Sequence, residues 1–67
     1  MRISRESLAV LLIRTNLNGI QLAKKSGLSR GTITAIKNGK SCSRESAERI
    51  AKALGVDVTE IMEDAGH

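Results

Sequence analysis

The residues best suited to chemistry form a short run around Arg30. Arg30 carries the planar, forked guanidinium that pairs with O6 and N7 of guanine. Thr34 offers a hydroxyl and a methyl group, Ala35 suits contact with a thymine methyl, and Gly31 allows close approach. These types predict direct contacts with DNA bases from Arg30, Gly31, Thr34 and Ala35.

Polar and basic side chains of the types that hold phosphate groups surround this run. Phosphate contacts fix the register of a protein on a duplex but carry no sequence information of their own. The residues predicted to contact the DNA backbone are Gln21, Ser29, Thr32, Asn38, Lys40 and Ser41.

Catalytic chemistry has little support in the sequence. Catalytic triads and most zinc sites need a positioned histidine, and the single histidine, His67, is the last residue. A nucleophilic Cys42 would need a base that no pattern supplies, so a packed or unreactive thiol is the simpler interpretation. No glycine loop has the spacing of a phosphate cradle. We therefore expect no enzyme, no metal, no cofactor and no small-molecule substrate.

Basic residues are concentrated in the first two thirds of the chain. Residues 1–44 hold nine Lys and Arg against Glu6 alone, a net charge of +8, whereas residues 45–67 hold two basic and six acidic residues, a net charge of −4. A basic body with an acidic tail is typical of a surface that binds a polyanion. Two ordinary solvated faces would give the same split, so charge alone leaves both interpretations open.

Length and cysteine usage limit the class of protein. We expect residues 1–67 to form a single domain with a frayed tail at about 64–67. A single cysteine, Cys42, excludes an intrachain disulfide and favours a reduced setting. The apolar run at residues 8–13 is too short for a signal peptide or a membrane span. These observations favour a cytoplasmic protein with no membrane contact.

The stretch at residues 18–39, NGIQLAKKSGLSRGTITAIKNG, organises the chain. Asn18 followed by Gln21 predicts a capping box that opens one helix. Gly27 predicts the end of that helix, because glycine adopts the left-handed conformation at little cost. The residues expected to face the core are Ile20, Leu22 and Ala23.

A second short helix follows the turn at residues 26–28. Ser29 predicts its cap, Ile33 and Ile36 lie three apart on its buried side, and residues 38–39 predict its end. A glycine turn lets two helices cross at a steep angle, so that the second can enter the major groove of DNA. The sequence therefore predicts a helix-turn-helix.

Three more helices complete an all-α, five-helix prediction. The first follows Ser4, with Leu8, Leu11 and Leu12 on its apolar stripe and Ile13 broadening that stripe. The fourth has its apolar residues at helical spacing: Ala47, Ile50, Ala51 and Leu54. Asp57 and Glu60 form a second capping-box pattern and predict a short fifth helix with Ile61 and Met62.

The runs LNGIQLAKKSGLSRGTITAIKNGK and ERIAKALGVDVTEIM resemble the lambda-repressor-like, Cro-type helix-turn-helix family of phage and bacterial regulators. The most specific parts are QLA at 21–23, SGLSRGTI at 26–33, NGK at 38–40 and IAKALGV at 50–56. The resemblance implies five helices and a recognition helix at 29–37. Matched position by position, it implies base contacts from Arg30, Gly31, Thr34 and Ala35 and backbone contacts from Asn38, Lys40 and Ser41. It also implies homodimers on operator half-sites, with contacts near the C-terminal helix.

Two features differ from the family pattern. Helix two of the family commonly begins with a glutamine that braces a phosphate and the recognition helix, whereas this chain has Gly19. The outward face of helix three is also unusually small. A dimer or partner contact is predicted at Val58, Ile61 and Met62, with the alternative that these residues only cap the core.

Two hypotheses follow for function. The first is a small sequence-specific DNA-binding transcriptional regulator, a Cro-like repressor of a phage or mobile element acting in a lysogeny switch, with double-stranded DNA as its partner. The alternative is an antirepressor or modulator that uses the same fold to bind a partner repressor protein. The small recognition face and Gly19 motivate this second hypothesis.

Overall fold

The computed structural model describes residues 2–62, which form four α-helices and one 3₁₀ turn. The α-helices are α1 (Arg5–Thr15), α2 (Gly19–Ser26), α3 (Arg30–Lys37) and α4 (Arg44–Leu54). The 3₁₀ turn is Val58–Glu60. An isolated antiparallel bridge joins Ile3 to Met62, near the two ends of the described chain.

Each α-helix begins at a side-chain oxygen that its own sequence supplies. The cap accepts a hydrogen bond from the backbone N–H three residues later, which would otherwise lack an intrahelical partner. The cap-to-amide distances are 3.3 Å for Ser4–Ser7, 2.8 Å for Asn18–Gln21, 3.1 Å for Ser29–Thr32 and 3.1 Å for Ser43–Ser46. The predicted helix starts are therefore confirmed, including the capping box at Asn18.

One aliphatic core joins all four helices and the final turn. Its apolar members are Ile3, Leu8, Leu12, Leu22, Ala23, Ile33, Ile36, Ala47, Ile50, Ala51, Ala53, Leu54 and Ile61. Helix α4 contributes the most members, and α2 packs against both α4 and α3. Helix α3 buries Ile33 and Ile36 and thereby leaves its opposite face outside. The core thus decides which side of α3 is presented to solvent.

The predicted fifth helix is wrong for the described residues, because only a three-residue 3₁₀ turn forms there. Its capping box is present, with Asp57 and Glu60 bonded to backbone amides as the pattern predicts. Beyond it, the Ile61 carbonyl accepts a hydrogen bond of 2.7 Å from the Ser4 N–H. Pairing with the N-terminal segment therefore takes the place of another helical turn.

Two isoleucines predicted to face the core lie outside it. Ile13 is 78% exposed and Ile20 is 46% exposed. The stripe of α1 that reaches the core contains Leu8 and Leu12, with Leu11 partly buried against it. Both exposed residues sit near the junction of α1 and α2, where no other described element packs over them closely enough to bury them. Across residues 2–62, no helix has the length and apolar character needed to cross a membrane.

Candidate nucleic-acid interface

A tight turn sets the angle between α2 and α3. Gly27 ends α2 with φ of 77°, and its N–H donates to the Ala23 carbonyl at 3.0 Å. The buried Ser26 hydroxyl donates to the Ala23 carbonyl at 3.3 Å and accepts from the Leu28 N–H at 3.4 Å. A polar group buried in this way is fully used within the turn, so Ser26 stabilises the path of the chain.

The predicted base-contacting residues lie on the outer side of α3. Arg30, Gly31 and Thr34 are exposed, and Ala35 is half-buried. Arg30 and Thr34 line one surface depression of about 280 Å³, together with Lys37. The structure therefore brings two long donors, Arg30 and Lys37, and the Thr34 hydroxyl onto a shared surface.

Ser29 and Thr32 form a hydroxyl pair at the start of α3. Their oxygens lie 2.8 Å apart, and Ser29 Oγ also accepts from the Thr32 N–H at 3.1 Å. Each hydroxyl has one proton, and a single proton suffices for the bond between them. The other proton can be donated outward, for instance to a phosphate oxygen.

The remaining predicted backbone contacts flank the other end of α3 and the start of α2. Asn38, Lys40 and Ser41 are exposed. Helix α3 has eight residues, and at about 1.5 Å each it spans about 12 Å. That length is near the width of the major groove, about 12 Å. Polar groups at its two ends are therefore separated by about the width of that groove.

Gln21 is exposed in the first turn of α2, near the junction with α1. Its Oε1 accepts from the Asn18 N–H at 3.0 Å, so the capping box fixes the side chain. The Nε2 amide is the end of this exposed side chain that can donate to an anion.

Two basic residues of the interface were missed by the sequence prediction of contacts. The ammonium nitrogen of Lys37 would lie 3.7 Å from a Cβ atom built on Gly19, and the Arg5 side chain covers Gly39, with Cδ 3.5 Å from a Cβ built there. Lys37 follows Arg30 by seven residues, so helical periodicity could have found it. Arg5 has no local signal, because only the packing of α1 against α3 brings it to this position.

The charge pattern separates this surface from α4. Both ion pairs found within residues 2–62 are i, i+4 pairs on α4, namely Arg44–Glu48 at 3.9 Å and Arg49–Glu45 at 3.1 Å. Surface pairs of this kind contribute little stability but do balance the charge of their own face. Helices α1, α2 and α3 carry six basic residues against Glu6 alone, so most of the excess positive charge belongs to these three helices.

The residues predicted for a dimer or partner contact divide into two groups. Ile61 is completely buried within its own chain, so its side chain acts as a core residue in one folded copy. Val58 and Met62 are partly buried. Only these two keep surface that a second molecule could cover.

Cys42, the residue considered as a nucleophile, is not part of the exposed face of α3. Cys42 packs against the core, and desolvation raises the pKa of its thiol above the ordinary value. A raised pKa lowers the thiolate fraction and with it the nucleophilicity. His67 and the predicted frayed tail lie outside the described residues, and within residues 2–62 there is no group of three or more potential metal-binding side chains.

Comparison with solved structures shows the same fold inside larger enzymes. A hydroxyethylphosphonate dioxygenase variant matches with a TM-score of 0.87 and 24% identity over 100% of this chain. A second variant of 2-hydroxyethylphosphonate dioxygenase matches with a TM-score of 0.86 and 21% identity over 97% of this chain. The matched part is 15% and 16% of those chains, so the likeness concerns the fold of one segment.

Comparison with families is more informative than these neighbours. No curated protein sequence matches this chain significantly. A model of the Cro/C1-type helix-turn-helix DNA-binding domain, however, matches residues 7–65, nearly the whole sequence. That match covers the turn at Gly27, the exposed face of α3 and all of α4. The chain belongs to the family of Cro/C1-type helix-turn-helix DNA-binding domains.

Proposed function

We propose that this protein is a small sequence-specific transcriptional regulator that acts in the cytoplasm as a Cro-like repressor of a phage or mobile element. The observation that carries the proposal is the position of Arg30. It is exposed at the first residue of α3, a helix capped by Ser29 and anchored by Ile33 and Ile36. Family membership and the basic surface of α1, α2 and α3 support the same function.

In this proposal α3 lies in the major groove with its N-terminal residues against the base edges. Arg30 pairs with guanine O6 and N7, while Thr34 and Ala35 contact neighbouring bases and Gly31 lets the backbone approach. Phosphates are held by Gln21, Ser29, Thr32, Asn38, Lys40 and Ser41, with Arg5 and Lys37 adding charge. Phosphate contacts then supply much of the affinity, and Arg30 supplies most of the base discrimination.

The test begins with selection of a preferred site from random duplexes by the wild-type protein. Arg30→Ala should weaken binding to that site by about 5- to 150-fold, the range expected for one bidentate base contact. The affinity of Arg30→Ala for random DNA should fall much less. Arg30→Lys is the matched control, because it keeps the charge but loses the fork, and it should bind random DNA as the wild type does. Equal losses on both duplexes for Arg30→Ala would remove Arg30 from base readout.

Salt dependence tests the phosphate contacts separately. Arg5→Gln and Lys37→Gln should each lower the slope of log affinity against log salt by about 1, with similar losses on selected and random duplexes. Lys52→Gln is the control, since Lys52 lies on α4 and lines a different depression from Arg30 and Lys37. An unchanged slope for Arg5→Gln or Lys37→Gln would place that residue away from the duplex.

We further propose that the protein binds as a homodimer through Val58 and Met62. In such dimers the two α3 helices would reach half-sites one helical turn apart, about 34 Å. Sedimentation with and without the selected duplex measures the mass directly. Met62→Glu should leave a folded monomer that binds a half-site alone, and an unchanged dimer mass would place the contact elsewhere.

One observation favours a second function, an antirepressor or modulator that binds a partner repressor. The outer face of α3 carries only Arg30 as a long side chain at the predicted base positions, beside the small residues Gly31, Thr34 and Ala35. Fluorescence anisotropy at two salt concentrations separates the two functions. Absence of DNA binding at low salt, with co-purification of another regulator, would favour the second.

A further inference from the structure

Ile20 is an apolar side chain on the candidate interface. It is the second residue of α2 and is 46% exposed. It lines the same depression of about 280 Å³ as Arg30, Thr34 and Lys37. An isoleucine therefore stands among the polar groups of the surface that faces the proposed duplex.

The backbone of Ile20 is held firmly for an exposed residue. Asn18 and Gln21 form the reciprocal capping box on either side of it, with bonds of 2.8 and 3.0 Å. β-branched side chains are also restricted at χ1. The apolar tip of Ile20 is therefore directed by local structure, and little conformational entropy is lost when it makes a contact.

The small outer face of α3 brings the start of α2 closer to DNA. A Cβ atom built on Gly31 would have only Ser29 Oγ, at 4.0 Å, as a neighbour, so this position is open. With short side chains at Thr34 and Ala35 as well, the α3 backbone can lie deep in the groove. A residue in the first turn of α2, next to Arg30 and Thr34, then comes within reach of a base edge.

The chemistry of the duplex limits what an isoleucine can contact favourably. The phosphate and sugar oxygens offer hydrogen-bond acceptors, and the major-groove edge offers one apolar group, the C5 methyl of thymine. Burying the exposed half of Ile20 against that methyl removes apolar surface of both from water.

We propose that Ile20 is a specificity-determining residue that reads a thymine through its C5 methyl, next to the base contacted by Arg30. The proposal rests on the proposed function, because it requires α3 to occupy the major groove. It also accounts for an isoleucine whose type and spacing predict burial but whose side chain lies on the interface.

The experiment replaces thymines of the selected site one at a time with deoxyuridine, which removes only the methyl group. Wild-type affinity should fall about fourfold at one or two positions, the factor expected for the burial of one methyl. Ile20→Ala should bind the unmodified site less tightly and show no further loss at those positions. Ile20→Val, which keeps the branched carbon, should retain part of the effect.

Ile13→Ala is the matched control, since Ile13 is an exposed isoleucine that does not line this depression. It should keep the full wild-type response to deoxyuridine. A selected site at which every replacement is neutral, or at which the loss persists in Ile20→Ala, would overturn the role of Ile20 and leave the proposed function standing. Failure to select any site would overturn both.

Discussion

Lys37, at the end of α3, reaches back over the first residue of α2. Its ammonium nitrogen would lie 3.7 Å from a Cβ atom on Gly19, and Ile33 Cγ2 would lie 3.8 Å from the same atom. These are ordinary van der Waals distances, so there is room for a Cβ atom at Gly19. Lys37 and Ile33 of α3 therefore lie beside the position of α2 where the family commonly has a bracing glutamine.

Gly19→Ala should therefore raise the free energy of unfolding by about 0.5 kcal/mol, because alanine loses less backbone entropy than glycine in a helix. Urea unfolding followed by circular dichroism measures this change. Gly19→Gln should add an amide donor near the duplex and tighten DNA binding by about tenfold, the gain for one hydrogen bond to a charged group. Lower stability in Gly19→Ala would show that Lys37 and Ile33 cannot yield to a Cβ atom.

Gly27 and Gly55 offer a matched pair for the turn. Both end helices at positive φ, 77° and 75°, but a Cβ atom on Gly27 would lie 3.2 Å from Arg49 Nη1, whereas one on Gly55 would meet nothing within 4 Å. Gly55→Ala should cost about 1–2 kcal/mol, the penalty of the left-handed conformation. Gly27→Ala should cost slightly more, since the Arg49 guanidinium, which also donates to Glu45, must shift by a small amount to make room for the Cβ atom.

The Arg49→Ala background separates the cost of the left-handed conformation from the cost of the contact between Arg49 and a Cβ atom at Gly27. In that background Gly27→Ala and Gly55→Ala should cost the same free energy of unfolding, as measured by urea titration. Only Gly27→Ala should also weaken DNA binding of the folded protein, because Gly27 sets the approach of α2 and α3. Equal costs already in the wild-type background would show that Arg49 adjusts freely.

Ile61 and Ile13 are the same residue type at opposite extremes of burial, 0% and 78% exposed. Ile61→Val should lower the free energy of unfolding by about 0.5–1.5 kcal/mol, the cost of removing one buried methylene. Ile13→Val should change it by less than about 0.5 kcal/mol, as for most surface positions. Thermal and urea unfolding of the two variants give this comparison, and similar losses would contradict the observed burial.

Asp57 should make stability depend on pH in acid. Hydrogen bonds from the Thr59 N–H, at 3.0 Å, and the Thr59 hydroxyl, at 3.1 Å, lower the pKa of this carboxyl. Its stabilising effect is therefore complete above the range in which the unfolded carboxyl titrates, about pH 4, and is lost as the pH falls through the lower folded pKa.

The matched variant for this prediction is Asp57→Asn, which keeps the shape but cannot ionise. The stability difference between wild type and variant should be constant above about pH 5 and should shrink toward acid pH. Urea unfolding at a series of pH values measures it. A difference that grows toward acid would mean that the carboxyl pKa is raised in the folded state.

The candidate interface was predictable from sequence where its residues share one helix. Arg30 and Thr34 are one helical turn apart, and Ser29 is the cap of the same helix, so a single periodicity places them together. Arg5 was not predictable, because α1 must pack on α3 before its side chain covers Gly39. Contacts between segments distant in sequence leave no local pattern to find.

What the sequence by itself determined is the set of helix starts, the turn and the order of the helices. Caps such as Asn18 with Gln21 are hydrogen bonds between residues three apart, so they form without contacts from distant parts of the chain. The sequence predicted that both Ile33 and Ile20 face the core, and only the tertiary structure decided that Ile20 is exposed. Both are isoleucines on short amphipathic helices. Ile33 lies in the core that α3 shares with α1 and α2, whereas Ile20 lines a surface depression and is 46% exposed.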